Sequence, residues 1–205
     1  FSAGMRYESY LDPILGYPGR FRGSGVGYRY ANYAKENFEV TLGNFYEQFG
    51  SGLLLRAYEE RQLGIDNALD GFRLILRPAD GVTLKGLVGK QRLDFDSGLI
   101  NGPGTIRAMD GEINLNDAFE RLATSGTRVT LGASFVSRFQ PGSTISKDTL
   151  VLQLPNNVGS WGYRAQIQKG GFQLMGEYVR KINDPNADNG FTYGAVSYTH
   201  LRAHE

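Results

Sequence analysis

The stretch that decides the fold is residues 161–178, which read WGYRAQIQKGGFQLMGEY. Apolar residues such as Trp161, Tyr163 and Phe172 alternate with polar ones on both sides of Gly170 and Gly171. A period of two places successive side chains on opposite faces of a β-strand. Glycine supplies the positive φ that a tight hairpin turn needs. The segment therefore predicts two antiparallel strands, each with one apolar and one polar face.

The same alternation recurs along most of the chain. Its apolar positions fall within residues 1–7, 26–30, 38–42, 72–76, 82–88 and 129–135. Residues 104–115 are weaker, because Asp110 and Glu112 interrupt the apolar face assigned to them. Nine strands result, with a tenth beginning at Phe191. Strands that follow one another through hairpins predict an all-β, antiparallel up-and-down meander.

Composition narrows the class of protein. The chain is rich in glycine (28), tyrosine (12) and phenylalanine (12), as expected of strands and turns, and no apolar run approaches the roughly 18 residues of a helical membrane span. A net charge of +1 gives no global reason to expect nucleic acid as a partner. The absence of cysteine excludes disulfides and thiolate chemistry.

Strand and connector lengths favour a membrane barrel over a soluble β-sandwich. Several segments sustain about 9 to 11 alternating residues, the length that crosses a bilayer at barrel tilt. Short connectors at 34–37, 78–81 and 169–171 alternate with long ones at 12–24, 47–70, 93–103, 140–159 and 182–190. The intermediate connector 116–126 begins with Asn116 and predicts a short helical turn. Outer-membrane barrels alternate short periplasmic turns with longer external loops. We therefore expect a partial transmembrane β-barrel of about nine or ten strands.

Both ends of the sequence predict truncation. The chain opens within a strand-like alternation at Phe1, without a signal peptide. Residues 196–205 resemble translated sequencing-adapter read-through and are expected to be a non-native tail, so that the barrel occupies residues 1–195. Both histidines, His200 and His204, lie in that tail.

The stretches 40–53, 56–64 and 89–92 resemble an uncharacterised family of outer-membrane β-barrels from Gram-negative bacteria. The resemblance covers residues 1 to about 195 and is most specific between residues 40 and 92. It implies a barrel fold and an outer-membrane location. It implies no catalytic or binding residue and no cofactor.

The polar face of the predicted strands is the candidate lumen. As assigned from the alternation, it carries seven basic and three acidic residues: Arg6, Arg29, Arg73, Arg77, Lys85, Arg128 and Arg164 against Glu8, Glu39 and Glu177. A basic lumen would favour anionic solutes. The alternative is that these are paired wall residues.

Catalysis is not expected. Without a histidine outside the tail, the general base of a hydrolytic triad is missing. The pairs Glu59/Glu60 and Asp94/Asp96 fit solvated loop charges better than a glycosidase. The glycine-rich residues 20–27 enter a strand rather than a helix, which argues against a phosphate loop. Residues 184–190 resemble a calcium loop imperfectly and fit a turn better.

The connector 47–70 carries the strongest local signal. It is longer than structureless loops usually are, and it contains Phe49 and an apolar run at 53–55. Its candidate functional residues are Tyr46, Glu47, Arg56, Glu59, Glu60 and Arg61. We expect it to fold inward, to bury the leucines, to bring its charges to Arg73 and Arg77, and to narrow or plug the pore. The rival interpretation makes residues 52–61 an additional membrane strand.

These observations support three functional hypotheses. The first is an outer-membrane channel, or a barrel that takes up or binds a small solute whose identity the sequence leaves open. The second is a non-conducting structural or assembly-partner barrel. The third is a soluble carbohydrate-binding β-sandwich. The expected partner in the first two is the lipid bilayer, with no enzymatic activity, no metal and no cofactor.

Overall fold

The structure is a computed structural model, and it describes residues 1–10, 23–93, 101–142, 144–147, 150–182, 184 and 195–203. Its main feature is one ten-stranded sheet. In pairing order, the strands are β1 (Ser2–Tyr10), β2 (Gly23–Lys35), β3 (Phe38–Phe45), β8 (Leu69–Ala79), β9 (Val82–Arg92), β10 (Asn101–Asn114), β11 (Thr127–Phe139), β14 (Asn157–Lys169), β15 (Phe172–Lys181) and β16 (Ala195–Ala203).

Short elements fill the connectors. They are β4 (Glu47–Gln48), β5 (Arg56–Ala57), β6 (Glu59–Glu60), a 3-10 turn (Arg61–Leu63), β7 (Ile65–Asp66), α1 (Leu115–Ala118), α2 (Glu120–Ala123), β12 (Thr144–Lys147) and β13 (Leu150–Gln153). The short strands pair as β4 with β5, β6 with β7 and β12 with β13. No helix among the described residues is long and apolar enough to cross a membrane.

The predicted all-β antiparallel meander is confirmed. Every neighbouring pair in the large sheet is antiparallel, and the order follows the chain except where the short elements intervene. The segment 161–178 forms the hairpin β14–β15, with Lys169 opposite Phe172 and Gly170 at a φ of 56°. Among the described strands, β1 and β16 form the two edges of the sheet.

One face of the sheet exposes large apolar side chains, and we call it the apolar face. Cross-strand pairs on this face include Leu42 with Phe72, Leu76 with Leu84, and Met109 with Phe135. Further exposed members are Phe1, Met5, Tyr7, Val26, Val88, Leu131, Tyr163, Ile167, Phe172 and Tyr178. The opposite face, called the inner face, carries the buried core and most of the ion pairs.

A β-bulge in β2 reverses the faces of three residues relative to the prediction. The alternation predicted Tyr28 and Tyr30 on the apolar face and Arg29 on the polar face. The register shifts between Arg6 and Tyr7, so Arg6 lies opposite Tyr28 while Tyr7 lies opposite Val26. Gly27 is the extra residue, and one extra residue reverses the phase of the alternation. Tyr28 and Tyr30 therefore lie on the inner face rather than on the apolar face.

The same bulge places Arg29 on the apolar face rather than on the inner face. It pairs with Met5, whose side chain is 79% exposed on the apolar face, and its guanidinium lies 3.6 Å from a carboxylate oxygen of Asp70. The prediction that Arg29 faces the polar side is wrong, because the alternation was continued through the bulge.

Two acidic residues of β10 were also assigned to the wrong face. Asp110 and Glu112 do not interrupt an apolar surface, because the apolar positions of this strand are Met109 and Ile113, which alternate with them. Both carboxylates lie on the inner face, where they bind Arg164 of β14.

The connector between β10 and β11 forms the expected helical turn, with a different cap. Asn114, not Asn116, is the N-cap residue, and its side chain accepts from the Asn116 backbone N–H. The buried Asn116 side chain instead donates to the carbonyls of Leu122 and Thr127 and accepts from Val129 N–H. The turn is thereby tied to the start of β11.

Candidate functional site

The candidate site is the inner face together with residues 46–68, which we call the inner segment. Phe45 pairs with Leu69, so β3 and β8 are neighbours and the inner segment leaves and re-enters the sheet at one point. Within the inner segment, Glu47 pairs with Ala57 and Glu59 pairs with Asp66. The rival prediction of a membrane strand at 52–61 is wrong, because the described pairings of this stretch lie within the inner segment.

An apolar core joins the inner segment to the inner face. Phe49 is fully buried, and Leu55 and Ala57 are buried beside it. Their partners from the strands are Phe45, Leu69, Leu87 and Ala108, with Ile106 and Val136 packed at the margin. Burial of the predicted leucines is therefore partial, since Leu55 is buried and Leu53 is 40% exposed.

The first ionic cluster fixes the inner segment to two distant strands. The Arg92 side chain of β9 is 1% exposed, and its Nη2 lies 2.7 Å from Glu8 Oε2 of β1. Its Nη1 donates to Asp66 of the inner segment and also reaches Glu8 Oε1 at 3.2 Å. Arg6 completes the cluster, with Nε 2.6 Å from Glu8 and Nη2 3.1 Å from Asp66.

Glu59 and Tyr46 extend this cluster. Glu59 accepts from Arg6 Nη1 at 2.8 Å and from Arg61 Nε at 2.9 Å. Burial alone would raise the pKa of Glu59, but the hydrogen bonds and charges of Arg61 and Arg6 hold it below its ordinary value. The Tyr46 hydroxyl donates to Asp66 at 3.1 Å, and burial followed by the charge of Asp66 raises the pKa of Tyr46. Tyr46 also stacks on Tyr28, with ring centroids 5.4 Å apart.

The second ionic cluster centres on Glu47 at the start of the inner segment. Its two carboxylate oxygens lie 2.8 Å from Lys85 Nζ and 3.3 Å from Arg73 Nη1. Arg73 also donates to Glu39 and Thr41 of β3. Glu47 is buried, so both cations compensate a carboxylate that is removed from water.

The third ionic cluster lies on the far side of the inner face. Arg164 of β14 binds Asp110 at 2.7 Å and Glu112 at 2.9 Å. On β15, Glu177 accepts from the Ser51 backbone N–H at 3.0 Å and from its hydroxyl at 2.5 Å. The inner segment therefore contacts the first strand of the sheet through Glu59 and the ninth through Ser51.

Most of the predicted residues are brought together in the structure, and a few are not. Ion pairs or hydrogen bonds connect ten of them to the inner segment or the inner face: Arg6, Glu39, Tyr46, Glu47, Glu59, Arg61, Arg73, Lys85, Arg164 and Glu177. Arg77 and Arg128 are exposed, and among the described residues neither forms an ion pair, so the predicted contact with Arg77 is wrong. Arg56 covers the Tyr58 ring at 4.2 Å, and Glu60 caps the 3-10 turn by accepting from Gln62 N–H.

Sequence reasoning missed four charged residues of the candidate site: Arg92, Asp110 and Glu112 on the inner face, and Asp66 in the inner segment. With them included, the inner-face residues Arg6, Arg73, Lys85, Arg92 and Arg164 all form ion pairs, and these contacts support the paired-wall alternative for this part of the face. Arg77 and Arg128 are the predicted basic residues of this face that form no ion pair among the described residues. A strict continuation of the period through β10 would have identified Asp110 and Glu112. Asp94, Asp96 and residues 185–190 of the calcium-like stretch lie outside the described residues.

Comparison with known proteins supplies a family but no activity. A family model described as "Family of unknown function (DUF6029)" matches residues 1–203. The chain belongs to this family. None of the curated proteins matches the chain. The DUF6029 match thus agrees with the expected uncharacterised family, and outer-membrane character stays a prediction, as does the origin of residues 196–205.

Proposed function

We propose that the chain forms the wall of a transmembrane β-barrel in the outer membrane of a Gram-negative bacterium, with the inner segment narrowing the path for a small solute. The observation that carries the proposal is the division of the sheet into two unlike faces. Large apolar side chains are exposed on one face, while five of the six carboxylates in the described parts of the sheet lie on the other: Glu8, Glu39, Asp110, Glu112 and Glu177. A bilayer would cover the first face.

The length of the strands supports the same proposal. β8 and β9 have 11 residues each, and β11 and β14 have 13 each. About 9 to 11 tilted residues are needed to cross the hydrocarbon core. Strands of a soluble sandwich are commonly nearer five or six residues. The sandwich alternative is further disfavoured because the long strands belong to a single sheet.

The inner segment supports a narrowed pathway. It is anchored by the fully buried Phe49 and by ion pairs to Arg6, Arg73 and Arg92, so it lies across the inner face rather than in a free loop. The same anchoring favours the second candidate, a barrel that does not conduct. The two differ only in whether an aqueous path remains beside the inner segment.

Lipid contact is tested with Trp161, which lies on the apolar face opposite Phe135. The full-length protein is reconstituted into vesicles of brominated phosphatidylcholine, and Trp161→Phe identifies the fluorescence that Trp161 contributes. Bromine on the acyl chains should quench that contribution, because the indole would contact lipid. A Trp161 signal that bromine leaves unchanged would overturn the proposal of a membrane wall.

Conductance separates the two barrel functions. The full-length protein in a planar bilayer should show discrete current steps if a solute path remains. Lipid quenching of Trp161 without any current would favour the structural barrel. The proposal assigns no enzymatic activity, no metal and no cofactor to the chain.

A further inference from the structure

The apolar face carries three basic residues at a common level near the long connectors: Lys90 of β9, Arg107 of β10 and Arg180 of β15, which we call the cation row. Register places all three on this face. Arg107 lies opposite Val88, and Arg180 lies opposite Trp161. Lys90 lies opposite Asp70 and Thr105. All three side chains are exposed.

The common level follows from the position of each residue along its strand. Lys90 and Arg180 each lie eight residues beyond the first residue of their strands, Val82 and Phe172, and Arg107 lies seven residues before the last residue of its strand, Asn114. Seven or eight residues correspond to a height on the order of 20 Å above the rim formed by the short connectors, since each residue rises about 3.3 Å along a strand that is tilted in the barrel. The apolar band of an outer-membrane barrel is about 25 Å tall. The cation row therefore stands at the opposite margin of that band.

Few opposing charges are available to the cation row within the sheet. Asp70 is the one carboxylate of the described sheet that lies on the apolar face, and it also faces Arg29 at 3.6 Å. Arg107 lies over the Phe139 ring at 5.7 Å, which orients its guanidinium without neutralising it. Large apolar side chains thus cover most of this face, and the three cations follow them at the long-connector side.

We propose that the cation row binds the phosphate groups of anionic lipid headgroups, those whose phosphate is not neutralised by a headgroup cation, at the long-connector side of the barrel. This inference rests on the proposed membrane wall and names its partner: an anionic lipid that carries a phosphate and lies with its acyl chains against the apolar face. Guanidinium groups bind phosphate with two parallel hydrogen bonds, and ammonium groups bind it as point charges. Each basic residue near an anionic surface adds a favourable free-energy contribution to lipid association.

Trp161 makes the proposal measurable, because it lies directly opposite Arg180 on the apolar face. Two vesicle preparations contain the same equimolar mixture of phosphatidylglycerol and phosphatidylcholine. In one preparation only the phosphatidylglycerol carries bromine, and in the other only the phosphatidylcholine does. The Trp161 contribution is again defined by the Trp161→Phe variant of the full-length protein. The ratio of the two quenching values reports which headgroup occupies the site beside Arg180.

The expected ratio favours phosphatidylglycerol by up to about fivefold, the factor that one cation beside an anionic headgroup provides, since Arg180 is the member of the row next to Trp161. Arg180→Gln should lower the ratio, and the triple variant Lys90→Gln, Arg107→Gln and Arg180→Gln should bring it to one. Lys169→Gln is the control, since Lys169 lies at the opposite end of β14 and should leave the ratio unchanged.

The outcomes distinguish this inference from the proposed function. Equal quenching by both brominated lipids in the parent protein would overturn the headgroup site while supporting the membrane wall. The absence of quenching by either lipid would overturn both proposals. A ratio that survives the triple variant would also overturn the headgroup site, because the preference would then come from other residues.

Discussion

Arg92 of β9 and Glu8 of β1 form an ion pair of 2.7 Å although β2, β3 and β8 lie between their strands in the sheet. In a flat sheet, four strand spacings of about 4.8 Å would separate these strands by roughly 19 Å. Two side chains cannot bridge that distance while their terminal atoms are hydrogen-bonded at this length. The sheet must therefore curve towards its inner face between β1 and β9, and Arg92 with Glu8 marks the inside of the curve.

Replacement of Arg92 by methionine should strongly destabilise the fold. The variant would leave Glu8 and Asp66 buried with less compensation, and breaking a buried ion pair costs about 3–5 kcal/mol. Arg6 still contacts both carboxylates in the variant. We therefore expect the free energy of unfolding to fall by about 3 kcal/mol, the lower end of that range. Equilibrium urea unfolding of the full-length protein measures it. Arg128→Met, at an exposed position, is the matched control and should change the free energy of unfolding by less than about 0.5 kcal/mol. Equal effects of the two substitutions would contradict the importance of the buried pair.

The bulge residue Gly27 should not tolerate a side chain. A Cβ at this position would lie 2.5 Å from the Glu8 carboxylate and 2.7 Å from Arg92 Nη2, and both groups are held in the buried first cluster. Gly27→Ala should therefore reduce the free energy of unfolding by about 1–3 kcal/mol, as overpacking does. Gly86→Ala is the control, since its Cβ would meet nothing within 4 Å. A Gly27→Ala variant as stable as Gly86→Ala would show that the cluster adjusts freely.

The strands were largely predictable because their signal is local. The alternation around Trp161 and Phe172 specifies β14, the turn and β15 without reference to the rest of the chain, and the observed register follows it. The faces of Tyr28 and Tyr30 were not predictable in the same way. A bulge changes the phase of the pattern at one residue, and Gly27 looks like any other glycine of a glycine-rich stretch.

The candidate site was predictable only in part. The composition of the connector 47–70 indicated burial of apolar residues and contact between its charges and the strands, and Phe49 and Glu47 fulfil this. The partner Arg92 could not be identified, because its ion pair with Glu8 depends on the curvature of five strands. Curvature accumulates from twist and bulges along the sheet and leaves no periodic mark in the sequence.

Acid should loosen the inner segment through Glu59. Its folded-state pKa lies below the ordinary value of 4.5, so its contribution to stability is complete above about pH 4.5 and is lost as the pH falls through the folded-state pKa. The groups that face Glu59 are Arg6, Arg61, Tyr46 and Asp66. Amide exchange of residues 47–66, corrected for the intrinsic effect of pH, should accelerate below that range.

The variant Glu59→Gln tests whether the acid-induced acceleration of amide exchange comes from the Glu59 carboxylate. It removes the titrating carboxylate but keeps the shape, so exchange at neutral pH should already be faster than in the parent protein, and the additional acid-induced change should be smaller. Glu60→Gln is the control, because the hydrogen bond described for the Glu60 side chain is the local one from Gln62 N–H, and the register pairing of Glu60 with Ile65 does not depend on its carboxylate. An acid response that is identical in Glu59→Gln and the parent would refute the role of Glu59.

Removal of residues 50–66, which form most of the inner segment, should open the pathway. Phe45 and Leu69 are cross-strand partners, so a short Gly-Ser turn can replace residues 50–66 without pulling β3 and β8 apart. The replacement removes Leu55 from the core, and it also removes the anchors to Arg6, Arg92 and Glu177. If the inner segment narrows a pore, single-channel conductance of the full-length protein should rise, on the order of several-fold, since conductance follows the open cross-section and the charges that line it.

A folding control is needed because the core is reduced, and Trp161 quenching by brominated lipid reports whether the variant still forms the membrane wall. A variant that inserts normally and conducts no better than the parent would exclude the inner segment as the constriction.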